Sequence, residues 1–185
     1  LIHLSIGMIY GVSIFWPELT QLIGSECSSS VTFIDRITTT SCDWLRSDVV
    51  WTFAIAIVVL GMSAAIFGHW LERAGPRKAG FAAAVAWGGG LIVTSFGVST
   101  HQLWLIWLGA GVIGGLGLGL GYISPVSTLI KWFPDRRGLA TGMAIMGFGG
   151  GAMIGMPLGD SLINTYGIAQ TFLIMGVIYF IAMTI

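Results

Sequence analysis

Eight basic and eight acidic side chains are all the formal charge in 185 residues, and most of them stand in short clusters. Glu72, Arg73, Arg77 and Lys78 share one cluster with Gly68 and Gly75, and Lys131, Asp135, Arg136 and Arg137 form another. Adjacent opposite charges such as Glu72 and Arg73 can make ion pairs that break and re-form when two bodies move against each other. Catalytic chemistry has less to stand on. His3, His69 and His101 are far apart and fall at opposite ends of apolar runs, so no metal-ligand spacing exists. No Ser/His/Asp grouping converges, which argues against an enzyme. Gly109-x-Gly111-x-x-Gly114 fits a dinucleotide pattern in letters only, because no strand precedes it and no acidic residue follows in a βαβ context. The sequence therefore implies no catalytic residue, no metal and no cofactor. Cys27 and Cys42 lie in one polar segment, where they either close a disulfide in an oxidising compartment or remain two thiols.

The elements that must carry these groups are dictated by composition. Hydrophobic residues make up 55% of the chain and charged ones 9%, against about 25% charged in ordinary soluble domains. A water-soluble fold with so little charge would expose large apolar patches; the lipid bilayer is the matching solvent. The few, scattered cations also exclude a nucleic-acid surface. A helix crosses the hydrocarbon core with roughly 20 apolar residues. Uncharged runs of 23 residues (49–71), 52 (79–130), 22 (138–159) and 25 (161–185) supply five crossings, the second run breaking at Ser99-Thr100-His101-Gln102. A sixth precedes the polar segment 24–48. The spacing predicts six helices at about 1–23, 49–71, 79–98, 103–130, 139–162 and 167–185. These runs are apolar throughout, not alternating as a barrel strand would be. The fold class is an all-α membrane bundle.

Orientation follows the basic residues of short loops. Arg73, Arg77, Lys78, Lys131, Arg136 and Arg137 fall on one side, and only Arg36 and Arg46 on the other. The rule puts the former side and the N-terminus in the cytoplasm of a multi-pass protein of the cell membrane. Leu1 is no initiator methionine and Ile185 lies inside an apolar run, so both boundaries read as cut.

Gly68-His69-Trp70-Leu71-Glu72-Arg73-Ala74-Gly75-Pro76-Arg77-Lys78 resembles the loop between helices two and three of the major facilitator superfamily, with Glu72 where that family usually has Asp. Here Gly68 would let two helix ends approach and Gly75 make a tight turn. Lys131-Trp132-Phe133-Pro134-Asp135-Arg136-Arg137-Gly138-Leu139-Ala140-Thr141-Gly142 is similar to the loop between helices four and five in oxalate/formate antiporters and monocarboxylate transporters, and Tyr10-Gly11-Val12-Ser13-Ile14-Phe15 also resembles the antiporters. The resemblance covers nearly the whole chain but only the N-terminal six-helix half of a transporter.

What the resemblance implies is alternating access: two six-helix bundles rock about a midplane site, the second bundle being a partner absent from this chain. The substrate expected is a small mono- or dicarboxylate, moved by antiport; proton symport and a non-transporting sensor are the alternatives. Spans one, four and five would line the cavity, with Tyr10, Ser13, Tyr122 and Ser124 as the polar candidates. The tyrosines either donate to a carboxylate or pack between helices. No Lys or Arg sits mid-span, so an anion's compensating charge is expected from the second bundle. Glycines repeat every fourth position at Gly111, Gly115 and Gly119, and at Gly147, Gly151, Gly155 and Gly159, a spacing that either lets membrane helices pack backbone to backbone or supplies a hinge for alternating access.

Overall fold

The computed structural model describes residues 1–24, 32–38 and 42–185, with backbone only for Phe33 and Arg36. The described chain is helical, with no extended strand. Six apolar helical stretches follow one another: span one, Ile2–Leu19; span two, Arg46–Ala74; span three, Pro76–Ser99; span four, Leu103–Trp132; span five, Arg137–Tyr166; and span six, Ile168–Thr184. The first five are long and apolar enough to cross a membrane, and the sixth has 17 residues. A short helix, Phe33–Thr38, lies between spans one and two.

Helices suit these residues because a bilayer offers no water to unpaired backbone groups. Several hydroxyls inside the spans turn back on their own helix. Thr94 Oγ1 donates to Gly90 O at 2.8 Å, Thr128 Oγ1 to Ser124 O at 2.8 Å and Thr171 Oγ1 to Gly167 O at 2.8 Å. Span two, at 29 residues, is about 44 Å long. It outreaches a hydrocarbon core of about 30 Å, so Arg46 at one end and Glu72 and Arg73 at the other reach beyond the core.

Two spans depart from a uniform α-helix. Span one is a 3₁₀-helix over Gly7–Phe15, and span four has a π-helical stretch over Trp107–Ile113. Span one stops at Leu19, four residues before the expected boundary, where Thr20 Oγ1 donates to the carbonyls of Trp16 and Pro17 at 3.0 Å. Spans two and three are separated by Gly75 alone, at φ +83° and ψ 161°. That backbone region is essentially closed to residues with a Cβ.

Both glycine stripes face a neighbouring span. A Cβ at Gly111 would meet Ile55, at Gly115 Val59 and the Ala56 carbonyl, and at Gly119 the Ser63 hydroxyl, so this stripe seats span four on span two. A Cβ at Gly151 would strike the Leu4 carbonyl and Gly7, at Gly155 the Met8 sulfur, and at Gly159 Ile14, which seats span five on span one. The core lies between the spans and is filled by Ile6, Trp87, Leu118, Phe148, Phe172 and Met175. Trp51, Ile66, Phe96, Met146, Met153 and Ile181 are exposed, as a lipid-facing surface requires.

Candidate functional site

The starts of spans one, three and five and the ends of spans four and six surround a cleft of about 960 Å³, lined among others by His3, Arg77, Ser124, Met143 and Met183. Both described termini and both basic clusters therefore lie at one end of the bundle. Above the cleft, four rings connect spans one, four and five. The Tyr10 ring meets Phe148 edge-on at 5.0 Å between centroids, and Tyr122 meets the other side of the cluster at 5.4 Å from Phe148. His3 stacks on Tyr122 at 5.6 Å with 25° between planes.

Span one presents its polar groups through its 3₁₀ geometry. With three residues per turn, side chains at i and i+3 eclipse, so Tyr10 and Ser13 project from one edge. Both are exposed, Tyr10 to 55%. Tyr122 is half-buried. Close packing of Gly7 against the Phe148 carbonyl brings span five near enough for Phe148 to stand between the tyrosines.

Ser124 does not join this cluster. It is buried, and its hydroxyl donates to Pro76 O at 3.2 Å, tying span four to the start of span three. Tyr10 and Tyr122 are thus brought together at Phe148, with Ser13 one turn further along span one and Ser124 at the cleft.

In the loop between spans two and three, Gly75 N–H donates to Leu71 O at 3.0 Å and closes the turn. Glu72, Arg73, Arg77 and Lys78 are exposed, and no ion pair to another described residue holds any of them. Gly68 differs from expectation: nothing lies within 4 Å of where its Cβ would stand, so it makes no close approach inside this bundle. In the loop between spans four and five, Pro134–Arg136 form a 3₁₀ turn, and Lys131, Asp135, Arg136 and Arg137 are all exposed.

At the opposite end, the Asp43 carboxylate accepts from the Ile23 and Gly24 amides at 2.7 Å each. Trp44 stacks on His101 at 4.2 Å, His101 Nε2 lies 2.9 Å from Cys42 O, and the Arg46 guanidinium lies over Trp16. The bridge considered for Cys27 and Cys42 involves Cys27, which lies outside the described residues.

Sequence reasoning passed over two members of the cluster. Phe148 looks like any apolar residue of span five. The spacing of His3 from the other histidines carries no signal, and only its place in a membrane span marks an ionisable residue as a functional candidate. His3 is buried; Nδ1 lies 2.7 Å from Ala144 O in span five, and Nε2 lies 3.1 Å from Tyr122 O in span four.

The model of the Major Facilitator Superfamily matches residues 2–185. The uncharacterized MFS-type transporter YhjX of Escherichia coli (strain K12) is 33% identical over 132 residues, 71% of this chain and 32% of its own length. The apicoplast pyruvate carrier 1 of Toxoplasma gondii is 31% identical over 128 residues, 68% of this chain and 22% of the carrier. The oxalate:formate antiporter of Oxalobacter formigenes is 28% identical over 131 residues, 68% of this chain and 29% of the antiporter. The aligned part of the chain spans about a third or less of each of these relatives.

Proposed function

Because the chain belongs to the major facilitator superfamily, a family of multi-pass membrane transporters, we propose that it forms one bundle of a carrier for small carboxylates. The observation that supports this most is the meeting of Tyr10 and Tyr122 on Phe148, from spans one, four and five. Hydroxyl donors beside aromatic walls suit a short carboxylate, whose oxygens need hydrogen bonds and whose carbon skeleton needs apolar contact. Similarity to a pyruvate carrier and to an oxalate:formate antiporter points to the same substrate class.

In this reading the exposed edge carrying Tyr10 and Ser13 faces a second six-helix bundle across the substrate. Carboxylate binds at mid-depth and is released on the other side when the bundles rock. The free charges Glu72, Arg73, Arg77 and Lys78 make and break pairs with that second bundle, and Gly68, open on its outer side, leaves room for it. The carrier sits in the cell membrane with the basic end in the cytoplasm, and exchange of one anion for another is its primary mode.

The test is counterflow by the full-length protein in proteoliposomes loaded with oxalate, formate or pyruvate. Uptake of labelled carboxylate that depends on the unlabelled carboxylate inside supports the reading. Specific binding without any flux supports a sensor built on the same bundle. Absence of both binding and flux across the series overturns the substrate class.

A further inference from the structure

Spans three and four meet backbone to backbone, since a Cβ at Gly90 would strike the Gly109 carbonyl and the Gly114 amide. Beside that contact their surfaces part into a groove of about 650 Å³, within the range of about 300–1,000 Å³ typical of ligand sites. Along span three the groove runs from Phe81 to Val93, and Ile113, at the end of the π-helical stretch, bounds it on span four. At the helix period Ala82 and Gly89 form its middle, between Phe81 and Val85 on one edge and Ala86 and Val93 on the other. Nothing lies within 4 Å of where a Gly89 Cβ would stand, so the floor is open outward. Every lining side chain is apolar. A small carboxylate finds no donor here.

Charge stands at one end of this groove. Phe81 also lines the cleft at the basic end, together with Arg77. Lys78 lies on the stripe of Ala82, Val85 and Gly89, and Arg77 one turn from Phe81. Both cations are exposed, and no ion pair to another described residue holds either of them. Helical side chains lean toward their N-terminus, here the basic end, so both charges rise from the groove toward headgroup level. Glu72, the acidic residue of the same cluster, belongs to span two and lies beyond the turn at Gly75. We propose that the groove seats one acyl chain of an anionic phospholipid from the leaflet at the basic end, its phosphate held by Arg77 and Lys78.

Length selects a lipid chain over a partner helix. From Phe81 to Val93 span three rises about 18 Å, close to the roughly 15 Å of hydrocarbon in one leaflet. Past Val93 the stripe through Gly89 is taken by the exposed Phe96, which closes the groove before the other leaflet. A helix packed here would cross both leaflets and meet that ring; an acyl chain ends short of it. Basic pockets between spans bind anionic headgroups. A zwitterionic headgroup brings its own cation against Arg77 and Lys78, so net charge sets the preference. The site stands without the carrier reading. Within that reading the second bundle draws on the same two cations, and lipid holds them when the basic ends of the bundles are apart.

Native mass spectrometry of the full-length protein, released from detergent with phosphatidylglycerol or phosphatidylcholine added, tests this. Phosphatidylglycerol is expected to stay bound in preference to phosphatidylcholine. Arg77→Gln combined with Lys78→Gln should weaken its binding by about five-fold for each cation removed. Gly89→Leu meets no neighbour inside the bundle, so it fills the groove without disturbing the packing and should lose the bound lipid. Gly89→Met replaces it if thermal unfolding shows that the leucine variant does not fold. Arg136→Gln combined with Arg137→Gln, at the same end but outside the linings of groove and cleft, should leave binding unchanged. Equal loss in that control pair reduces the effect to general surface attraction and overturns the proposal. Undiminished binding in Gly89→Leu does the same, as does glycerol phosphate binding as tightly as the lipid, because neither result needs a chain in the groove. A disulfide between two copies at Val85→Cys that excludes the lipid gives the groove to a second copy and overturns it too.

Discussion

A hydroxyl that donates to a bound carboxylate is worth more than one that bonds a neutral group, because the acceptor carries charge. Tyr10 and Tyr122 meet Phe148 from two spans, so removing either hydroxyl leaves the aromatic packing intact and deletes one donor. Tyr10→Phe or Tyr122→Phe is expected to weaken carboxylate binding to the full-length protein by about 0.5–3 kcal/mol, measured by titration with oxalate, formate and pyruvate. Unchanged affinity in both variants would remove these side chains from the site. Depth made this pair legible in the sequence: each lies about half a membrane from its end of a predicted span. Their partner Phe148 and the bonds of His3 were not legible. The acceptors of His3 stand 141 and 119 residues away, and no local pattern encodes contacts of that range. The Ser124 bond is illegible for a related reason, since its acceptor belongs to the start of another helix.

Helices in lipid gain nothing from burying apolar surface against each other, so close packing of small residues has to hold them. Gly119 and Gly151 leave no space for a side chain against Ser63 and Leu4, whereas Gly142 faces open space. Gly119→Leu and Gly151→Leu are therefore expected to destabilise the protein by at least about 1–3 kcal/mol. Gly142→Ala should be neutral or stabilising by up to about 1 kcal/mol, the contrast being read from thermal unfolding in detergent. At the turn between spans two and three, Gly75→Leu forces a Cβ into a backbone region that costs about 1–3 kcal/mol. With Arg73→Ala, it should impair transport while membrane insertion persists, and wild-type transport by both variants would refute a conformational role for the loop. The stripes could be read from sequence because their spacing is the helix period. The 3₁₀ stretch of span one could not, since the apolar residues Gly7–Phe15 suit either helix and only packing selects the tighter one.

Across the whole molecule, the alternation of six helices brings Arg73, Arg77, Lys78, Lys131, Arg136 and Arg137 to the end where both described termini lie. Their exposure at that end means that each must be solvated by water or by anionic headgroups. Basic residues in short loops resist translocation and are retained on the cytoplasmic side, where an anionic leaflet adds about 1 kcal/mol of attraction per cation near the surface. Six cations against the two at the other end, Arg36 and Arg46, make the bias too large for the exposed Glu72 and Asp135 to reverse, because acidic residues contribute little to orientation. In the orientation proposed above, the helix Phe33–Thr38 would lie outside the cell, together with the Trp44–His101 stack. Single cysteines at Arg36 and Arg136 test this in intact cells with a membrane-impermeant thiol reagent, after the native cysteines are replaced. Position 36 is expected to react at once and position 136 only after the membrane is opened. The reverse pattern would invert the bundle and put the cleft beside Arg77 and both basic clusters on the outer side.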